Sequence, residues 1–126
     1  MDSGAISISG FDPAHVQSVR KGETVFLAGS EGHHMYVVLD GQIQIEVDGR
    51  VVDRVIAGGI FGEMALVDSH PRTGTAIASV PSKLLRLDEK EFLKLVGDSP
   101  AFALKVMRAV VERLRRANVT PEAAAG

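Results

Sequence analysis

The stretch Gln42-Ile43-Gln44-Ile45-Glu46-Val47-Asp48-Gly49 decides the fold class of this chain. Polar and apolar residues alternate strictly from position 42 to position 47, which is the pattern of a β-strand with one buried face. Asp48-Gly49 is a dipeptide preferred in tight hairpin turns, and a second strand is predicted over Val51–Ile56. The two runs together predict an antiparallel β-hairpin.

Similar short runs flank this hairpin on both sides. Further strands are predicted over Glu23–Leu27, Met35–Leu39, Thr75–Val80 and Lys83–Leu87. Glycines separate the runs, and their short, regular spacing is typical of an antiparallel sandwich or barrel rather than of alternating strands and helices. Near the N-terminus, Asp12-Pro13 predicts a cap for one or two helical turns that end by residue 19.

The last third of the chain changes to a helical period. Asp88 is predicted to cap a short helix over Glu89–Val96 that Gly97 ends, and Ser99-Pro100 predicts the start of a longer helix over residues 101–117. The apolar residues of this amphipathic helix recur at helical spacing and are Phe102, Ala103, Val106, Met107, Val110, Val111 and Leu114. The cluster of Arg113, Arg115 and Arg116 is interpreted as a solvated face.

Composition limits the functions open to this chain. Its 126 residues are the size of one domain, and the expected parts are a short N-terminal segment over 1–20, the domain over 21–117 and a disordered tail over 118–126. Because there is no cysteine, disulfides and thiolate sites are excluded, and the net charge of −2 argues against a nucleic-acid partner. No apolar run approaches the roughly 20 residues that span a membrane. We therefore expect a soluble, cytoplasmic protein.

The segment over residues 58–76 interrupts the strand pattern. Glu63–Val67 contains good helix formers but is long enough for only one turn. The N–H groups at a helix start favour an anion such as phosphate, and Arg72 offers the same kind of group a planar, two-pronged set of donors. The carboxylate of Glu63 would repel a pure phosphate. A ligand that also presents a hydroxyl group, such as a sugar phosphate, therefore fits this segment better.

The same segment resembles the phosphate-binding cassette of cyclic nucleotide-binding domains. The matching residues are Phe61-Gly62-Glu63-Met64-Ala65-Leu66 and, after five intervening residues, Arg72-Thr73-Gly74-Thr75. Upstream, Val25–Gly32 and Met35–Val38 are similar to the early hairpins of that family. The resemblance extends from Lys21 to Arg116. It implies a mainly β fold, an antiparallel β-roll of jelly-roll type (a double-stranded β-helix), with a short phosphate-binding helix and an amphipathic C-terminal helix that closes on the pocket.

The resemblance also implies a ligand, cyclic AMP or cyclic GMP, and a receptor that is not an enzyme and needs no cofactor or metal. Glu63 would accept a hydrogen bond from the ribose 2′-hydroxyl, and Arg72 would pair with the cyclic phosphate. In that family a threonine directly after this arginine is associated with guanine, so Thr73 indicates that cyclic GMP is tolerated. The other expected ligand contacts are Phe61, Gly62, Met64, Ala65 and Gly74. The expected signal is a change in position of the C-terminal helix.

Two alternatives without nucleotide binding stay open at this point. Taken alone, Glu63 and Arg72 would form a structural salt bridge in a turn. A chain with the same fold would then be a protein-interaction module that responds to no nucleotide and binds an effector protein, or a second copy of itself, through the C-terminal helix.

A third alternative, a jelly-roll metalloenzyme, finds little support in the histidines. Such a site needs several ligating side chains on one face, whereas the adjacent His33 and His34 point to opposite faces of a strand. A turn with solvated imidazoles fits them better. His15 and His70 are isolated in sequence and are interpreted in the same way.

Overall fold

A computed structural model describes residues 11–68 and 70–119 of the chain. The strands in these ranges are β1 Val16–Val19, β2 Thr24–Phe26, β3 Met35–Asp40, β4 Gln42–Val47, β5 Arg50–Ile56, β6 Ile60–Phe61, β7 Thr75–Ala78 and β8 Ser82–Leu87. The helices are α1 Met64–Asp68, α2 Glu89–Asp98 and α3 Pro100–Val119. The predicted fold class, mainly β with C-terminal helices, is confirmed. Among the helices of these ranges, none is long and apolar enough to span a membrane.

The strands form two four-stranded antiparallel sheets that pack against each other. The strand orders are β1-β8-β3-β6 and β2-β7-β4-β5, so neighbours within a sheet are mostly distant in sequence. Side chains from both sheets meet in one buried cluster, which includes Val38, Phe61 and Leu84 of the first sheet and Ile43 and Ala76 of the second. This arrangement is the antiparallel β-roll that the resemblance implied.

Helices α2 and α3 cover the outer face of the first sheet. Leu95 of α2 and Phe102 and Val106 of α3 are buried against that face, where Met35 and Leu85 project from the strands. The middle of β3 is therefore buried on both sides. That is why its sequence is a continuous apolar run and not an alternating one.

The β4–β5 hairpin forms as the sequence predicts. Val47 pairs with Arg50 across a two-residue turn. Asp48 and Gly49 have φ angles of 53° and 79°. Positive φ at both central positions is the requirement of a type I′ turn, whose twist matches that of the flanking strands.

The prediction of helical turns up to Val19 is wrong beyond the first turn. Asp12 caps a single 3₁₀ turn over Pro13–His15, and Val16–Val19 is strand β1, paired with β8. Val19 lies in the core between the sheets, whereas Val16 packs on the helical side of the first sheet. A strand can place residues three apart on opposite faces, but a helix would place both on one face. The two-residue strand β6 was also missed.

The helices at the C-terminal end start where the sequence predicts. Asp88 and Glu91 form a capping box, each side chain accepting from the backbone N–H of the other at 2.8 Å. Helix α2 continues past Gly97 to Asp98, because this glycine lacks the positive φ of a helix terminus. Helix α3 includes residues 118 and 119, which were predicted as the start of a disordered tail; the rest of that tail, 120–126, lies outside the described residues.

The apolar residues of α3 do not share one face. Phe102 and Val106 are buried, whereas Met107, Val111 and Leu114 are 44–58% exposed. The spacing was consistent with a single wide apolar face, but the first sheet is covered by only one narrow stripe of the helix. A second apolar stripe therefore faces away from the core.

Candidate functional site

All the site residues that the resemblance singles out line one cavity of about 650 Å³. They are Phe61, Gly62, Glu63, Met64, Ala65, Arg72, Thr73 and Gly74. The lining of the cavity also includes Ile45, Val52 and Asp53 of the β4–β5 hairpin and Arg113 and Arg116 of α3. The structure thus brings the predicted residues together, while their roles as ligand contacts remain predictions.

The guanidinium of Arg72 is buried and held from several sides. Its Nη1 donates to the carbonyl of Gly62 at 3.0 Å, and its Nη2 donates to the carbonyl of His34 at 2.8 Å. Its central carbon lies 4.0 Å from the centroid of the Phe26 ring, within the range of a cation–π contact. The backbone N–H of the same residue donates to the carbonyl of Ser30 at 2.9 Å. These contacts set one orientation for the charged group.

Two glycines make room for this guanidinium. A methyl group at Gly32 would lie 2.3 Å from Arg72 Nε, and one at Gly62 would lie 2.8 Å from Nη1. Gly62 also has a φ of 76°, a conformation that other residues rarely adopt. Close approach to Arg72 therefore explains Gly32, and at Gly62 the backbone conformation favours glycine as well.

Arg72 keeps hydrogen-bonding capacity beyond its two carbonyl contacts. A guanidinium has five N–H donors, and Nε is buried with no acceptor among the described residues. Burial lowers the pKa of Arg72 from its ordinary value, and the nearby Tyr36 and Glu63 act in the opposite direction. An unpaired donor on a buried cation is costly, and an acceptor group that reached this guanidinium would remove part of that cost. The arrangement suits an anion with several oxygen atoms.

Glu63 forms an ion pair with α3 at the lining of the cavity. Arg113 Nη1 lies 2.8 Å from both carboxylate oxygens of Glu63, whose side chain is 13% exposed. The salt bridge considered for Glu63 therefore runs to Arg113 and not to Arg72. The carboxylate is held in a fixed position at the cavity wall.

The interpretation of Arg113 as part of a solvated helix face is wrong. Its Nε lies 3.2 Å from Asp53 Oδ2, and its Nη2 donates to the carbonyl of Ile60. Asp53 also lies 3.4 Å from Nη1 of Arg116, whose side chain is largely exposed. Arg113 follows the buried Val106 by seven residues, two helical turns, so both lie on the same face of α3. The sequence alone could not show which face is the inner one, because the exposed Met107 and Leu114 have the same spacing. Nothing in the sequence pattern singled out Asp53.

The hydroxyl and backbone groups near Arg72 have distinct roles. Thr73 is exposed at the cavity, whereas Thr75 Oγ1 accepts from the backbone N–H of Ala28 at 3.0 Å and so joins two strand ends. The backbone N–H of Ala65 donates to the carbonyl of Gly62 at 3.3 Å. This N–H, an expected ligand contact, is engaged within the turn that starts α1.

The histidines show no metal centre in the described ranges, where no group of three or more ligating side chains could hold an ion. The interpretation of His15 as solvated is wrong, since its Nε2 lies 2.5 Å from a carboxylate oxygen of Glu91. Burial is the largest cause of a lowered pKa at His34, and nearby arginines add to it. His70 lines the cavity.

A family model for the cyclic nucleotide-binding domain matches residues 16–99. The chain belongs to this family. This cyclic nucleotide-binding domain is 30% identical over 103 residues to a CRP-like cAMP-activated global transcriptional regulator of Mycobacterium tuberculosis, covering 78% of this chain and 46% of that protein. It is 36% identical over 77 residues to the cAMP-dependent protein kinase regulatory subunit of Yarrowia lipolytica, covering 61% of this chain and 20% of the subunit. The chain thus spans less than half the length of these relatives.

Solved structures show the same fold. The Thermus thermophilus catabolite activator protein superposes with a TM-score of 0.70 at 27% identity, covering 84% of this chain and 53% of the other. A protein from work on a cyclic-GMP-dependent signalling pathway in bacterial phytopathogenesis gives a TM-score of 0.69 at 28% identity, covering 80% and 84%. The similar architecture supports the assignment of the β-roll.

Proposed function

We propose that this domain is a receptor without catalytic activity for a cyclic nucleotide, either cAMP or cGMP. The observation that carries the proposal is the buried Arg72 guanidinium at the cavity. Two carbonyls fix its orientation, and two glycines leave room for it. The carboxylate of Glu63 lines the same cavity. The names of the relatives support it, since they include a cAMP-activated regulator and a kinase regulatory subunit.

The cavity offers a place for each part of such a ligand. Arg72 pairs with the cyclic phosphate, and Glu63 accepts from the ribose 2′-hydroxyl. The base lies against the apolar wall that includes Ile45 and Val52, with Thr73 at its edge. The volume of about 650 Å³ lies in the range of pockets that enclose small organic ligands.

Helix α3 is the element through which we expect the ligand to act. Arg113 and Arg116 of this helix line the cavity, so a bound nucleotide lies next to α3. A ligand can shift the position of a helix only by as much as its affinities for the two positions differ. The switch therefore depends on contacts that exist in one helix position and not in the other.

Isothermal titration of the full chain with cAMP and with cGMP tests this function. We expect one site per chain for at least one of them. AMP is the matched control, because it carries the same base and ribose but an open phosphate with a second negative charge. If neither cyclic nucleotide binds at concentrations up to about 1 mM, which corresponds to about −4 kcal/mol, the proposed function is wrong.

The second apolar stripe of α3 supports a further candidate function, protein interaction through this helix. Its members are Leu104, Met107, Val111 and Leu114, all exposed and spaced alternately three and four residues apart. Such spacing is typical of helices that pair with another helix, either of an effector protein or of a second copy. A chain that binds no nucleotide but self-associates in sedimentation experiments, and loses this in Val111→Glu, would favour this candidate.

A further inference from the structure

The stripe of α3 that packs on the core, here called the inner stripe, starts with Phe102 and Val106 and ends in the charged residue Arg113. Phe102 and Val106 are buried in the core, and Arg113 continues the same face towards the cavity. Its side chain is 27% exposed, well below the 60% of Arg116. An arginine at the end of an apolar stripe requires acceptors, because a buried charge without partners is costly.

Each nitrogen of this guanidinium has an acceptor from a different part of the fold. Nη1 contacts both oxygens of Glu63 at 2.8 Å, and Nε lies 3.2 Å from Asp53 Oδ2. Nη2 donates to the carbonyl of Ile60 in β6. One side chain therefore joins α3 to strand β5, strand β6 and the turn before α1.

Helix α3 also determines the sign of the charge around the cavity. Among the described side chains that line it, the two carboxylates of Asp53 and Glu63 outnumber the single guanidinium of Arg72 when α3 is left out. With Arg113 and Arg116 in place, three guanidinium groups face two carboxylates. The cyclic phosphate of the proposed ligand is a diester with one negative charge, so the cavity complements it only while α3 is docked.

From these contacts we infer that Arg113 is a positioning residue of the nucleotide site. Its side chain holds the Glu63 carboxylate in place for the ribose hydroxyl, and its charge offsets the negative charges of Glu63 and Asp53. The inference rests on the proposed function. Arg113 occupies one acceptor site on each oxygen of Glu63, and a carboxylate offers about four, so acceptor sites remain for a hydroxyl group. The nucleotide and the docked α3 then stabilise each other, and by linkage the coupling is the same in both directions.

Replacing Arg113 with glutamine removes the charge and leaves a shorter, neutral side chain that ends near the position of the arginine Nε. We expect Arg113→Gln to weaken binding of the preferred cyclic nucleotide by about 10- to 100-fold, the loss that one charge-assisted interaction predicts. Arg115→Gln is the matched control, because Arg115 is an exposed neighbour on the same helix and does not line the cavity. It makes the same change in net charge, and we expect binding within about threefold of the wild type.

A role in positioning Glu63 has a signature that a general loss of stability lacks. Arg113→Gln should reduce the preference for cAMP over 2′-deoxy-cAMP, and the effects of Arg113→Gln and Glu63→Gln should be strongly non-additive in a double-mutant cycle. Hydrogen exchange of α3 amides should slow on addition of nucleotide in the wild type and change less in Arg113→Gln. If Arg113→Gln does not fold, Arg113→Lys replaces it, and we expect weaker binding there too, because one ammonium cannot serve three acceptor groups.

The outcomes separate this inference from the function on which it rests. A wild-type chain that binds neither nucleotide overturns both. A wild-type chain that binds, while Arg113→Gln or Arg113→Lys binds as well or more tightly, overturns this inference alone, and tighter binding would show that Arg113 competes with the nucleotide. Purely additive effects of Arg113→Gln and Glu63→Gln also contradict it.

Discussion

Replacing Gly32 with alanine perturbs the candidate phosphate site without removing any group from it. The φ angle of Gly32 lies outside the left-handed region, so an alanine fits the backbone at this position. Its methyl group, however, would lie 2.3 Å from Arg72 Nε and 2.5 Å from the central carbon and Nη2. The guanidinium has to move by about 1 Å before these contacts reach ordinary van der Waals separation.

A displacement of this size changes the position of every donor on Arg72. The hydrogen bonds to the carbonyls of His34 and Gly62 start at 2.8 and 3.0 Å, so a shift of about 1 Å takes them beyond useful length. Because the displaced guanidinium stays buried without these two carbonyl partners, the free energy of unfolding should fall as well, by about 1–3 kcal/mol. The loss of one well-placed charge-assisted hydrogen bond, about 1.5–3 kcal/mol, predicts binding weaker by about 10- to 100-fold.

Titration calorimetry with cAMP and cGMP measures the affinity, and urea unfolding measures the stability of the same preparations. Gly97→Ala is the matched control, because a methyl group there meets nothing within 4 Å and Gly97 lies inside α2. Alanine is the better helix former by about 1 kcal/mol, so this control should bind as the wild type does and be slightly more stable. If Gly32→Ala binds within about threefold of the wild type, about 0.7 kcal/mol, the position of the guanidinium does not determine the affinity and the reasoning is refuted.

Three further predictions concern other parts of the site and its support. Arg72→Lys should lower nucleotide affinity at least about 100-fold in calorimetry and lower the free energy of unfolding by about 1–3 kcal/mol. A lysine ammonium lacks the planar, two-pronged set of donors that reaches the carbonyls of both Gly62 and His34. Unchanged affinity would contradict the phosphate role of Arg72. Thr73→Ala should shift the ratio of cGMP to cAMP affinity towards cAMP by about tenfold at most, the value of one neutral hydrogen bond, and an unchanged ratio would mean that the base is recognised elsewhere. Asp88→Ala should cost about 1 kcal/mol of stability at pH 7 through loss of the helix cap. The hydrogen bond from the Glu91 backbone N–H lowers the pKa of the Asp88 carboxyl in the folded chain. The contribution of the ionised Asp88 to stability is therefore present above the pKa of the unfolded state, about 3.9, and is lost as the pH falls through the pKa of the folded state. The difference in free energy of unfolding between the wild type and Asp88→Ala, measured by urea unfolding, should therefore shrink below about pH 4. A difference that stays constant down to pH 2 would contradict the assigned cause.

The features that could be predicted from the sequence are those whose causes are local. The hairpin at Asp48-Gly49 forms because the turn needs two residues with positive φ, and the flanking alternation assigns one face to the core. The start of α2 follows from a capping box within four residues. The segment from Phe61 to Gly74 is continuous, so its motif could be identified before the cavity was known. All of its predicted residues line the same cavity.

Other features depended on partners that are distant in sequence, and only the tertiary structure decided them. Val16–Val19 is a strand because it pairs with the edge of β8 in the first sheet, which is covered on one face by the second sheet and on the other by the helices. No local signal within four residues can show this. The apolar positions of α3 are divided between core and surface because only one stripe of the helix packs against the first sheet. Arg113 points inwards because Asp53 and Glu63, 60 and 50 residues earlier in the chain, place their carboxylates where the helix passes. Helical spacing determines which residues share a face, but the charge that a face meets is determined by packing.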